Sequence, residues 1–151
     1  MGYIDQNLMN GEKVIYHTRR HWIIFFWPAV FFILAAVGVF YGLAWGGILL
    51  VFFLGTALSS FVTFASSEFG VTNKRVLIKV GFIRRHTLET LLTKVEGIGV
   101  DQDILGRILG YGTIVVSGTG GTKEVFHKID APLKFRKYVQ EQTVAMQESR
   151  K

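Results

Sequence analysis

No Asp, Glu, Lys or Arg occurs between Arg20 and Glu68. Residues 22–65 read WIIFFWPAVFFILAAVGVFYGLAWGGILLVFFLGTALSSFVTFA. A helix that crosses a bilayer needs about 20 apolar residues. As one straight helix this stretch would reach roughly 66 Å, about twice the hydrocarbon thickness. Two crossings fit instead. The glycines of GLAWGG, residues 42–47, weaken a helix and permit a reversal. The run therefore predicts a transmembrane hairpin, with one helix over 22–41 and a second over 46–65. A buried helical pair in a soluble core is the bland alternative. The charge-free length argues against it, as do Trp22, Trp27, Tyr41 and Trp45 near the expected helix ends, where amphipathic rings favour the interface. A secretory signal is also a poor match, because the apolar run is too long and has no compact cleavage pattern.

The flanks give an orientation. Arg19, Arg20 and His21 precede the run; Lys74, Arg75, Lys79, Arg84 and Arg85 follow it, and the intervening loop is uncharged. Positive-inside bias places both termini in the cytoplasm and residues 42–47 outside. Gly38-xxx-Gly42 and Gly55-xxx-Ser59 have the spacing of small residues that lets helices approach closely, within one hairpin or between copies. No ionisable group lies in the span, which argues against an ion path or proton relay through one subunit.

Periodicity changes after residue 65. In RVLIKV, Val76, Ile78 and Val80 share one face while Arg75, Leu77 and Lys79 share the other, as in a strand. Two strands meet at Thr72-Asn73-Lys74. IRRHTLETLL, VEGIGVDQD, GTIVVSG and KEVFHKI read as four more, and EKVIYHTRRH as one before the apolar run. DILGRILG reads as a short helical turn or a loop. The expectation is about seven strands, with the hairpin inserted after the first. A C-terminal helix closes the chain, with Asp130 as N-cap and Pro132 in the first turn. Phe135, Tyr138, Val139, Gln142, Ala145 and Met146 lie near one of its faces. The domains expected are 1–21, a cytoplasmic segment with the first strand; 22–65, the transmembrane hairpin; and 66–151, a cytoplasmic domain.

SGTGGTKE invites a phosphate-cradle reading. A Walker loop needs Gly-Lys-Ser/Thr with a helix directly after it. Here Lys123 follows Thr122 and precedes Glu124 in a strand pattern, so Gly118, Gly120 and Gly121 read as a β-hairpin turn. No catalytic set emerges. His17, His21, His86 and His127 lack zinc spacing, Ser117 lacks the glycine of a nucleophile elbow, and Asp101 with Asp103 reads as a turn or helix cap. The chain has no cysteine, which excludes disulfides and thiolate chemistry. No metal, cofactor or enzymatic activity is expected.

The net charge of +6 falls mostly after residue 65. Lys74, Arg75, Lys79, Arg84 and Arg85 are candidates for contact with anionic lipid or a partner, each worth about 1 kcal/mol near a charged leaflet. Setting topology while solvated is their other reading. Nucleic acid is disfavoured, because no aromatic stacking motif accompanies the charges.

NGEKVIYHTRRHW, the twin apolar helices, EFGVTNKRVLIKVGFIRRHT and VDQDILGRILGYGTIVVSGTGG together resemble the bacterial pleckstrin-homology-like membrane proteins, the YdbS-like group. The resemblance spans nearly the whole chain. It implies a PH-like β-barrel or sandwich capped by a C-terminal helix, in the bacterial inner membrane. Eukaryotic relatives bind phosphoinositides in the loop after the first strand; here the hairpin occupies that place, so that site is not carried over. The function expected is a non-enzymatic, membrane-anchored binding or scaffold module, acting on a protein partner or lipid head groups, as a homo-oligomer or alone. The alternative is a small oligomeric subunit of a transport or channel assembly, with Ser59, Ser60 and Thr63 lining a polar path.

Overall fold

Alternation in the strands has a direct structural consequence. The structure, a computed structural model, describes residues 2–81 and 86–148. In strand β3 (Arg75–Val80), Val76 and Ile78 enter the main core and Val80 packs against it. β3 lies between β2 (Glu68–Thr72) and β4 (His86–Leu91), and β1 (Val14–Arg19) pairs with β2, giving an antiparallel sheet in the order β1-β2-β3-β4. A second antiparallel sheet holds β5 (Val95–Asp101), β6 (Tyr111–Gly118) and β7 (Lys123–Asp130) in that order. The seven strands expected are found among the described residues. They form two sheets and not a closed barrel: β4 and β5 are not paired, and a single bridge, Arg20 to Ile129, joins the sheets among the described residues.

The inner faces meet in one core that includes Phe69, Val71, Ile114, Val116, Phe126 and Ile129. Helix α5 (Pro132–Glu148) caps it with Phe135 and Val139, and Tyr138 stacks on Tyr16 at 4.7 Å. Pro132 is the first helical residue, where its missing N–H costs nothing. Asp130 is not the cap expected of it. It ends β7, and Ala131, with φ 46°, makes the corner and accepts from the N–H groups of Lys134 and Phe135.

The glycine-rich stretch is a hairpin turn. Gly118 N–H donates to the Thr122 carbonyl at 3.0 Å, and Gly120 and Gly121 take positive φ. Between β5 and β6 sits α4 (Ile104–Leu109). Asp103 caps it, accepting from Gly106 N–H at 2.6 Å, and Gly110 ends it in the left-handed conformation. Another short helix, α1 (Tyr3–Gln6), lies on β2, with Ile4 buried over Gly70. It has no counterpart in the periodicity of the sequence.

By contact the chain divides into two units: residues up to His21 together with those from Ser67 onward, and Trp22–Ser66. The second unit is a pair of helices. A 3-10 turn, Trp22–Phe25, leads into α2 (Phe26–Phe40), and α3 spans Ala44–Ser66. Both stretches are long and apolar enough to cross a membrane, with mean hydropathies of 2.6 and 2.2. Their large side chains are mostly exposed, Phe40 at 84% and Val51 at 67%, unlike the core helices of a soluble protein.

The reversal is tighter than residues 42–47. It needs only Tyr41, Gly42 and Leu43, with Gly42 at φ 68°, and Gly46 and Gly47 already belong to α3. Gly46 serves the crossing instead: a Cβ there would lie 2.5 Å from Val39 N, and one on Gly38 would lie 2.8 Å from Gly46 Cα. Gly38 is therefore a packing residue, whereas Gly42 turns the chain and Gly55 faces open space. Ser59 is exposed, and its carbonyl accepts from Thr63 Oγ1 at 2.8 Å. Gly46→Val should destabilise the helix pair by about 1–3 kcal/mol through backbone overlap, while Gly55→Val should change it by less than about 0.5 kcal/mol. Thermal unfolding of the detergent-solubilised variants compares the two.

Candidate functional site

Among the described residues, Lys74, Arg75 and Lys79 do not form an open patch. Lys74 Nζ donates to the Asn10 carbonyl at 2.8 Å. Lys79 Nζ lies 4.7 Å from the centre of the Tyr3 ring, a cation–π distance. Arg75 is enclosed: its Nε donates to Glu12 Oε1 at 2.9 Å, one terminal nitrogen to Glu89 Oε2 at 2.7 Å, and the other to Glu12 Oε2 and the Asn7 carbonyl. Three of the five candidate basic residues are thus occupied by the segment before β1. Arg75, a candidate for surface contact, pairs with Glu12 inside the fold. Arg84 and Arg85 lie outside the described residues.

Glu12 is the acceptor at the centre. It also accepts from Thr72 Oγ1 and Met9 N–H, each at 2.7 Å, and its side chain is fully buried. Burial alone would raise its carboxyl. The bonds from Arg75, Met9 and Thr72, with the guanidinium charge, more than offset this and hold it below the ordinary carboxylate value. Because Thr72 Oγ1 also accepts from the Arg75 N–H at 3.0 Å, the network fixes the β2–β3 turn and the N-terminal segment together. Single-sequence reasoning missed this pairing, since partners some sixty residues apart leave no local signal.

An open concavity lies elsewhere. A cleft of about 320 Å³ runs between β4 and the β6–β7 hairpin. Leu88, Glu89, Thr90 and Leu91 form one wall; Val116, Gly118, Thr119, Thr122 and Glu124 form the other, with Lys94 at the end. Among the described residues β4 is an outermost strand, and its outer edge has no ladder partner in the sheet. His86 Nε2 and Glu124 Oε2 stand 3.1 Å apart where the walls meet. Thr119 N–H donates to the Lys94 carbonyl at 3.0 Å and holds the hairpin over the cleft. The lining mixes Glu89, Glu124 and Lys94 with Leu88, Leu91 and Val116. That mixture suits a peptide segment better than a phosphorylated head group, which calls for clustered cations.

Removing one partner of a buried ion pair strands the other charge. Glu12→Ala should cost about 3–5 kcal/mol at neutral pH. The carboxyl is depressed in the folded state, so its contribution is complete above the ordinary carboxylate value and is lost as pH falls through the folded one. Wild type should therefore lose stability toward acid more steeply than Glu12→Gln. Denaturant midpoints at stepped pH measure both slopes.

A family model described as the bacterial PH domain matches residues 29–143. No curated protein and no solved structure matches the chain. The match covers most of the sequence, including the second apolar helix and six of the seven strands, and the two packed sheets with a terminal helix are the architecture such a domain requires. This chain belongs to the bacterial PH domain family.

Proposed function

We propose that this protein is a membrane-tethered, non-enzymatic binding module that takes up an extended segment of a protein partner in the cleft beside β4. PH domains are in general binding or scaffold modules, which supports the class. The observation that carries the choice of partner is the cleft: an unpaired strand edge over a mixed apolar and charged lining. Main-chain bonds along such an edge supply affinity, and side-chain pockets supply selectivity. The head-group reading loses support because Lys74, Arg75 and Lys79 are engaged by the N-terminal segment. It now rests on Arg84 and Arg85.

The tether is the hairpin, whose exposed apolar surface suits hydrocarbon. On this reading both termini are cytoplasmic and the helices are multi-pass in the inner membrane. Gly55 and Ser59, open on α3 of the isolated hairpin, leave room for a second copy. The cleft opens toward the end of the strands where β6 turns into β7. The chain leaves for the hairpin at the other end, where Arg19 pairs with Glu68.

Photocrosslinking of the full-length chain in native membranes tests the proposal. A crosslinker at Thr90 or Thr119 should give a protein adduct of discrete mass, absent from Gln140 on α5. The double change Lys94→Glu and Glu124→Lys should reduce that adduct several-fold. Adducts to lipid alone, or equal yield from all three positions, would contradict it.

A further inference from the structure

Helix α4 presents large aliphatic side chains that the core does not use. Ile104 is 78% exposed and Ile108 74%, and Leu105 and Leu109 are also exposed. This is not a loose loop. Asp103 caps the helix, Gly110 terminates it, and Gln102 Nε2 donates to the Tyr111 carbonyl at 2.7 Å. Gly106 is buried so closely that a Cβ would sit 2.6 Å from the Tyr111 carbonyl oxygen. The backbone is therefore fixed with four aliphatic side chains and Arg107 directed outward. A small patch of this kind on a domain surface marks a contact.

Its place in the domain says with what. Tyr111, which follows α4 by one residue, stands 5.4 Å from the His21 ring, centre to centre. His21 N–H donates to the Lys128 carbonyl at 2.8 Å, and Ala131 N–H donates to the Gly110 carbonyl at 2.9 Å. Thr18 Oγ1 donates to the Asp130 carbonyl at 2.9 Å. The end of the domain that carries α4 is thus the end from which the chain departs. Trp22, the first residue of the apolar stretch, is one peptide bond beyond His21. The return is as short: Ser66 ends α3, and Glu68 already pairs with Arg19. In sequence no residue separates the domain from the apolar helix pair at either junction.

We propose that α4 inserts its Ile104, Leu105, Ile108 and Leu109 side chains into the lipid interface as a monotopic second anchor, with Arg107 at head-group level. This rests on the reading of residues 22–66 as membrane-spanning. An amphipathic turn lying in the interface adds a second point of membrane attachment to a spanning hairpin. Arg107 suits the role: its aliphatic stem lies along apolar surroundings while the guanidinium reaches phosphate.

The absence of cysteine makes the test direct. Ile108→Cys, Phe52→Cys and Thr119→Cys are each labelled with an environment-sensitive fluorophore. The full chain is reconstituted in phosphatidylcholine–phosphatidylglycerol vesicles carrying lipids spin-labelled on the acyl chain. The labels at positions 108 and 52 should be quenched several-fold more than that at 119, and Ile104→Ser with Leu105→Ser should remove most of the quenching at 108. Quenching at 52 with none at 108 overturns the anchor and leaves the tether standing. No quenching at 52 overturns the tether, and the anchor with it. A blue-shifted but unquenched label at 108 that reverts when the chain is diluted in the bilayer shows a second copy covering α4, which also overturns the proposal.

Discussion

The pairing of Arg19 with Glu68 constrains everything else. These residues sit on neighbouring strands, whose spacing is about 4.8 Å. Between them in sequence lies the whole apolar stretch. Whatever that stretch does, it must return the chain to its starting point. One crossing of a bilayer cannot do this; two can. For a stretch that crosses a bilayer, the antiparallel β1–β2 ladder allows only an even number of passes. On that reading both flanks share one side, the outcome that the flanking arginines and lysines favour separately.

The same constraint assigns roles to the two ends of the domain. At the end where the chain leaves are the paired strand termini, the His21–Tyr111 contact and α4 with its exposed aliphatic side chains. Toward the other end are the β6–β7 hairpin and the cleft beside β4. The N-terminal segment stabilises the sheet that separates them. Through Glu12 it neutralises Arg75 inside the fold, and through Asn10 and Tyr3 it engages Lys74 and Lys79. Cations that could have been read as a lipid-binding face hold the segment before β1 against β3 and the β2–β3 turn. Buried ion pairs are weak evidence for stability but serve to fix register; here the register fixed is that of the β2–β3 turn.

Features carried by local periodicity were legible in the sequence. The alternation of residues 75–80, the glycine turn at 118–121, the capping of α4 by Asp103 and the apolar face of α5 all depend on neighbours within a few residues. What was not legible depends on partners far along the chain. Nothing local reveals that Arg75 belongs with Glu12, or that Gly46 meets Gly38 across the helix pair and so is no part of the turn. Asp130 has the right chemistry for a cap, but β7 claims it and Ala131 makes the corner. The cleft was legible only in part. A free sheet edge follows from any small open sheet, but which strand carries it depends on how the two sheets pack.

The central claim is that residues 22–66 cross a bilayer twice and hold the domain on one side. Cysteine introduced at Leu43, in the reversal, and at Lys137, on α5, gives the most direct measurement, using a membrane-impermeant maleimide on intact and permeabilised bacterial spheroplasts. The account predicts labelling of position 43 in intact spheroplasts and of position 137 only after permeabilisation. Labelling of both, or of neither, before permeabilisation would contradict it.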